Sequence, residues 1–286
     1  MDVTFTPQRL TERSVRKFRG IIYRHYLRHP RSLPWRRTRN PYRILVSEIM
    51  LQQTQVERVT EKYREFIKKF PDFPALAEAP LCDILRAWQG LGYNRRAIAL
   101  HRTARIVMTE FQGRLPSTVP ELLQLPGIGT YTASAIAAFA FNEATVFVET
   151  NIRRVFIHFF FHDHEGIRDT EIMPLVEKTL DSSDPREWYY ALMDYGVTLG
   201  KGSENPNRRS AHYQKQTPFH GSNRQARGMI LKVLVEKGKI PESELIRRMN
   251  MDRERIEKNL DALESEGFMR RKGKSVILGE ARGGRG

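Results

Sequence analysis

Up to about position 220, apolar side chains recur at three- and four-residue spacing, and almost no stretch alternates polar with apolar. The windows 15–27, 43–56, 93–111, 119–125, 131–141, 152–161, 171–180 and 186–199 all carry this period. Between them fall breakers: Pro71, Pro74, Pro80, Gly90, Gly92, Pro116, and Pro126 with Gly127 and Gly129. An amphipathic helix buries only one stripe, so a chain of short ones must pack helix on helix. The expected body is therefore all-α, with short connections.

The stretch KGSENPNRRSAHYQKQTPFHG over 201–221 is polar and poor in aliphatics, and reads as an irregular basic segment. A compact pattern follows, with helices expected at about 223–237, 241–249 and 252–266. Gly267 then opens a hairpin, FMRRKGKSVIL, with KGK at its turn. Helix, helix, helix, hairpin is the order of a winged helix-turn-helix. The Gly/Arg-rich tail from Gly279 reads as disordered. The chain has no internal repeat.

The 286 residues include 48 Lys and Arg against 33 Asp and Glu, a net charge of +15. The excess divides unevenly: +10 over 1–46, −4 over 47–200, +3 over 201–221 and +6 over 222–286. Any one segment is compatible with solvated helix faces, but the pattern fits cationic ends that grip phosphates around a mildly acidic centre. Cys82 is the single cysteine, which excludes an internal disulfide, a cysteine-based zinc site and a four-cysteine iron–sulfur cluster. No apolar run reaches the roughly 18 residues of a membrane span, and no signal peptide is evident, so a cytoplasmic protein is expected, nucleoid-associated if prokaryotic.

Three segments carry chemistry. In Ser47-Glu48-Ile49-Met50-Leu51-Gln52-Gln53-Thr54-Gln55, a continuous helix would set Glu48, Gln52 and Gln55 along one stripe bordered by Ile44 and Leu51. A carboxyl among apolar neighbours can act as a general acid near neutrality, and glutamine amides suit base edges; a plain polar helix face is the simpler alternative. In Leu125-Pro126-Gly127-Ile128-Gly129-Thr130-Tyr131-Thr132-Ala133, two glycines before a helix make a tight turn whose amides can hold a phosphate, or an ordinary interhelical turn. In Val146-Phe147-Val148-Glu149-Thr150-Asn151, an apolar run ends at a carboxylate where a helix starts, with Thr150 or Asn151 as expected cap. Such an acid can stay ionised and face a positive transition state, or merely complement the helix dipole.

Together with Pro34-Trp35-Arg36, Asn40-Pro41-Tyr42-Arg43 and Gly90-Leu91-Gly92-Tyr93, these segments stand in the order of one family. Over about residues 30–200 the chain resembles the helix-hairpin-helix (HhH-GPD) DNA glycosylases, and among them the MutY-type adenine glycosylases. The Glu48 segment looks like the adenine branch; endonuclease III-type and mismatch thymine glycosylases usually lack that Glu. The resemblance implies a two-lobed body, with 1–40 and 146–221 as one lobe and 41–145 as the other, followed by the winged-helix-like domain over 222–280. It implies that Glu48 protonates a flipped adenine and that Glu149 stabilises the oxocarbenium-like sugar. Tyr131 stands where bifunctional members have Lys. Gln53 and Tyr93 match residues that push into the base stack. Gln52, Gln55, Gly127, Gly129, Thr130, Arg208 and Arg209 are the further candidates for DNA contact.

The expectation is a monomeric, monofunctional glycosylase of base-excision repair, acting on adenine mispaired with guanine or oxidised guanine in double-stranded DNA. A same-fold enzyme for mispaired thymine, uracil or a deaminated purine, and a non-catalytic DNA-binding regulator, are the alternatives. No cofactor is expected, though an alkali cation at the glycine hairpin is compatible with the resemblance. Three departures stand out. Glu149 replaces the family's Asp. The first cluster cysteine falls near Gly200 with no cysteines after it, leaving the basic 207–213 stretch to replace that loop by packing or phosphate contact. The usual 8-oxoguanine-reading domain is not expected, because a winged-helix-like module stands in its place. His158, His162 and His164 do not make a metal-ligand pattern. Phe156, Phe159, Phe160 and Phe161, with Trp88, Trp188, Tyr189 and Tyr190, read as core. Arg247, Arg248, Arg253 and Arg255 read as DNA contacts of the winged helix, or as part of a protein-interaction wing.

Overall fold

A computed structural model describes residues 5–7, 10–202, 204–214, 221–249 and 251–279. The tail beyond Gly279 and parts of the 201–221 segment lie outside them. The helices are α1 (Glu12–Arg28), α2 (Pro41–Leu51), α3 (Val56–Lys69), α4 (Phe73–Glu78), α5 (Leu81–Trp88), α6 (Arg95–Glu110), α7 (Val119–Leu122), α8 (Thr130–Phe141), α9 (Thr150–Phe160), α10 (Asp169–Thr179), α11 (Pro185–Gly200), α12 (Asn223–Lys237), α13 (Glu242–Met249) and α14 (Arg253–Ser265). The expected all-α body is present. The expected 43–56 helix is instead broken after Leu51, and α3 to α5 fill a region where no helices were expected. The chain forms two compact units: Met1–Ile44, Ser117–Pro120 and Gly129–Lys215, and Leu45–Pro116, Glu121–Ile128 and Gln216–Gly286.

In the first unit, α1 buries Val15, Phe18 and Ile22, the 3–4–7 stripe of its sequence. The Phe18 ring lies 5.3 Å from those of Phe159 and Phe160, 5.6 Å from Phe156 and 5.9 Å from Trp188, so the aromatic run is core as expected. Gly196 of α11 is required by close approach: an added Cβ would stand 2.3 Å from the Asn151 carbonyl oxygen of α9. The basic N-terminal segment is partly structural. Arg31 Nε and Arg36 Nη2 donate to Asp194 Oδ1 at 2.5 and 2.8 Å, and Arg36 Nη1 to Oδ2 at 2.8 Å. The Arg31 backbone N–H adds 2.9 Å to Oδ2. Burial alone would push the Asp194 carboxyl up, but the two guanidinium groups outweigh it and hold it below the usual carboxylate range.

In the second unit, α4, α5 and α6 pack around Trp88, Phe66 and Leu100, all fully buried. Strands β1 (Lys239–Pro241), β2 (Met269–Lys272) and β3 (Ser275–Leu278) form an antiparallel sheet in the order β1-β3-β2. The hairpin β2–β3 is the expected one. The extra strand β1 pairs Ile240 with Val276, giving these two buried side chains a partner that a hairpin alone would lack. With α12, α13 and α14 this is the winged helix-turn-helix arrangement that the C-terminal sequence suggests. Arg271 ties it together, donating to Glu242, Glu264 and Asp261. This module packs α12 on α5, and Arg86 of α5 donates to the Val235 carbonyl at 3.3 Å.

Asp194 gives the fold a testable dependence. Asp194→Asn leaves two guanidinium groups facing an uncharged amide and is expected to destabilise the protein by about 3–5 kcal/mol, read from the denaturant midpoint. Because the folded pKa is depressed, the wild-type contribution is present at neutral pH and is lost as pH falls below about 4. The gap between wild type and variant should therefore close in acid.

Candidate active site

Glu48 lies in the last turn of α2 and is buried, 6% exposed. The helix ends at Leu51, so Gln52 and Gln55 do not continue its stripe. Gln52 and Gln53 form a turn, with Gln53 left-handed at φ 54°, and Gln55 is the extended residue that caps α3. The cause is Arg96 of α6, 8% exposed. Its Nη1 donates to the carbonyls of Ile49 (2.9 Å), Met50 (2.8 Å) and Gln52 (2.5 Å), and its Nη2 to Thr54 Oγ1 (3.0 Å). These are the carbonyls a helix C-terminus leaves without partners, and a cation there also suits the helix dipole. Burial pulls the Arg96 pKa down to about 10, which leaves it charged at neutral pH.

The same guanidinium holds the Gly90–Tyr93 loop, through Nη2 to the carbonyls of Leu91 (3.3 Å) and Gly92 (3.1 Å). Gly90, Gly92 and Tyr93 all have positive φ, at 93°, 70° and 47°. For a tyrosine this backbone costs about 1–3 kcal/mol and needs surrounding contacts to persist. One arginine thus organises both loops that carry the candidate wedges, exposed Gln53 and half-buried Tyr93. Gln52 Nε2 donates to the Gly127 carbonyl at 3.3 Å, joining two sequence-predicted segments. Gly127 has φ 76°, and a Cβ there would fall 2.7 Å from Ala99 Cβ, so both the turn and the packing demand glycine.

In the first unit, Gly129 is the N-cap residue of α8, whose first two residues are Thr130 and Tyr131, both exposed. The Tyr131 ring meets Phe147 edge-on at 5.6 Å. Glu149 is itself the N-cap of α9, in place of the expected Thr150 or Asn151. Its Oε1 accepts from the backbone N–H of Asn151 (2.8 Å) and Ile152 (3.0 Å), and its Oε2 from Asn151 Nδ2 (3.2 Å). Burial pushes the Glu149 carboxyl above its ordinary value, against these hydrogen bonds and the nearby Arg154 charge.

The loop after α11 is held by polar contacts. Arg154 donates to Asn151 Oδ1, the Gly196 carbonyl and Asn205 Oδ1 at 2.8, 2.6 and 3.0 Å, and Asn207 Nδ2 to the Thr150 carbonyl at 2.8 Å. Arg209 donates to the carbonyls of Phe161 and His162 at the end of α9, which gives it a structural task; Arg208 is exposed. A four-cysteine cluster does not fit this loop. The only cysteine, Cys82, belongs to α5 in the other unit, and a Cβ at Gly200 would fall 2.4 Å from Arg154 Nη1. Among the described residues no three His, Cys, Asp or Glu side chains gather as metal ligands. Of the winged-helix arginines, Arg248 pairs with Glu244 and Arg253 with Glu257, while Arg255 donates to Gly221 and Asn223. No sequence motif singles out Arg96, Arg154 or Arg224. Arg96 left one usable signal: a basic residue three positions after a Gly-x-Gly-Tyr turn, inside an otherwise apolar helical period.

The three comparisons with known proteins agree. Residues 46–180 match the family described as HhH-GPD superfamily base excision DNA repair protein. Curated relatives named adenine DNA glycosylase include one from Buchnera aphidicola, 40% identical over 62% of this chain and 50% of its own. Another, from Mycolicibacterium smegmatis, is 37% identical over 71% of this chain and 75% of its own, and one from Homo sapiens is 37% identical over 65% and 36%. The chain thus spans half or less of the Buchnera and human proteins. Among solved structures, a thermostable thymine-DNA glycosylase superposes with a TM-score of 0.59 at 28% identity, covering 67% of this chain and 90% of that one. An endonuclease III in a DNA complex gives 0.58 at 19% identity, over 68% and 90%, a likeness of fold. With most of the Mycolicibacterium protein covered at this identity, the chain belongs to the HhH-GPD superfamily of base excision DNA repair proteins.

Proposed function

We propose that this chain is a monofunctional DNA N-glycosylase that removes adenine mispaired with guanine or oxidised guanine. The observation that carries the reading is the set of relatives named adenine DNA glycosylase at 37–40% identity, joined to a buried carboxyl at Glu48 in the segment that resembles that branch. Glu48 is the general acid: its proton goes to the flipped adenine, which then leaves with the glycosidic electron pair. Glu149 stabilises the cationic sugar left behind and accepts a proton from the water that attacks C1′. The hydrogen bonds from Asn151 and Ile152 hold its carboxylate in one orientation. Gln53 and Tyr93 enter the space vacated in the stack. Gln52, Gln55, Gly127, Gly129, Thr130 and Arg208 lie against the bases and backbone nearby. The enzyme works as a monomer and without an iron–sulfur cluster.

A second reading has its own support. The thymine-DNA glycosylase structure is 28% identical and superposes over two thirds of this chain. A duplex panel separates the two: A·G, A·8-oxoguanine, T·G and U·G, with base release measured under single turnover. Release of adenine alone is expected; release of thymine or uracil alone replaces the proposal with this second reading.

Glu48→Gln is expected to fold normally and to lose about 10²–10⁴-fold in base release; intact turnover removes Glu48 from its role. Tyr131 offers no amine, so borohydride should trap no covalent enzyme–DNA adduct, whereas a trapped adduct would show lyase chemistry from another residue. Glu149 must be ionised to work, and its pKa is raised, so activity should fall on the acid side at a pH above the ordinary carboxylate range. A pH–rate profile whose acid limb is unchanged in Glu149→Asp, or full activity in Glu149→Ala, would remove that assignment.

A further inference from the structure

The winged-helix order suggests a DNA reader, yet the charges of its recognition helix argue otherwise. On α14, Arg253, Arg255 and Lys258 stand against Glu254, Glu257, Asp261 and Glu264, and Arg253 and Lys258 pair with Glu257 and Glu254 on the same helix. A helix that enters the major groove offers cations to phosphate and donors to base edges, and this one is net acidic. The module instead reaches the wedge loop of its own unit. Arg224, the second residue of α12, donates through Nη1 to the Tyr93 hydroxyl at 2.7 Å, and its Cζ lies 5.4 Å from the Tyr93 ring centroid. The Arg96 guanidinium lies 5.5 Å from the same ring.

The start of α12 is fixed from behind. Ser222 caps it, and Arg255 of α14 donates to the Gly221 carbonyl (2.5 Å) and Asn223 Oδ1 (3.3 Å). The rest of the module is fastened to the body of the unit through Arg86 on Val235 and through Arg95 of α6 on Glu266, a carboxylate that Arg227 of α12 also pairs with inside the module. Tyr93 is the sole aromatic with positive φ among the described residues. Arg96 fixes the backbone of its loop, whereas Arg224 grips the side chain.

We propose that Arg224 is a positioning residue: the C-terminal module acts on base excision by holding the Tyr93 ring ready for the stack and by keeping a cation beside it. This rests on the reading above that Tyr93 enters the base stack. A hydroxyl bond together with a cation over the ring restricts the tyrosine's rotamers before DNA arrives, so less ordering remains for the flipping step.

The test is a double-mutant cycle in the full chain with Arg224→Ala, Tyr93→Ala and the pair. Two readouts are used: fluorescence of 2-aminopurine placed next to the target adenine on binding, and single-turnover base release at saturating protein. Arg224→Ala is expected to reduce both by about tenfold with an unchanged unfolding midpoint, and to add nothing in the Tyr93→Ala background. Arg224→Lys, which keeps charge but loses the planar fork, should restore only part of either signal. Wild-type behaviour of Arg224→Ala, or losses that multiply with those of Tyr93→Ala, overturns the proposal; multiplied losses would mark an independent phosphate contact. A wild-type protein that releases no base from any duplex ends the functional reading instead. The fluorescence cycle then still judges Arg224 alone: coupled losses uphold its role in setting Tyr93, and independent ones reject it.

Discussion

A single guanidinium buried among carbonyl oxygens carries much of the second unit. Arg96 closes the C-terminus of α2, turns the chain at Gln52 and Gln53, and anchors the Gly90–Tyr93 loop. No carboxylate is among the groups it bonds; peptide dipoles converging from two loops stand in for the counter-charge. This is an economical way to bring two separate stretches into register. A carboxylate would pair with one side of the guanidinium, whereas carbonyls accept around its whole edge. Gln53 and Tyr93 can hold left-handed backbones because that shared anchor fixes the residues on either side.

The first unit relies on a different device. Asp194, buried in α11, gathers Arg31 and Arg36 from the segment before α2, while Arg154 and Arg209 of the same unit hold carbonyls of α9, α11 and their connecting loops. A charge excess that reads as a phosphate-binding arm is therefore partly internal. Arg31, Arg36 and Arg209 serve packing, and the exposed remainder, such as Arg37 and Arg208, is left for solvent or a polyanion. The loop after α11 is closed by Asn205, which accepts from Arg154, and by Asn207 and Arg209, which donate to the main-chain carbonyls of Thr150 and His162.

Much of this was legible in the sequence. The helical period locates α1, α6, α8 to α11 and all three helices of the C-terminal module, because each carries apolar residues at helical spacing, α8 on all sides, with a Pro, Gly or capping residue near its edge. The period also ran the Glu48 helix straight on through Gln55, since Leu51 and Val56 keep the apolar spacing. The break comes from Arg96, some forty residues further on, which no local pattern reports. Likewise Glu149 as its own cap was invisible beside Thr150 and Asn151, the residue types that ordinarily take that place. Motif alone singles out Glu48, Gln52, Gly127 and Tyr131 as candidates. It does not reach Arg224, whose meaning arises only from the distance at which α12 passes Tyr93.

The self-capping of Glu149 joins two properties that are usually separate. The oxygen that caps the start of α9 by accepting from Asn151 and Ile152 belongs to a titratable carboxyl. A proton added there removes the charge and weakens the cap together, so the first turn of α9 and the charge at its N-terminus respond to one titration. Any change that steadies the start of this helix will also favour the ionised acid, and any that frays it will favour the neutral one.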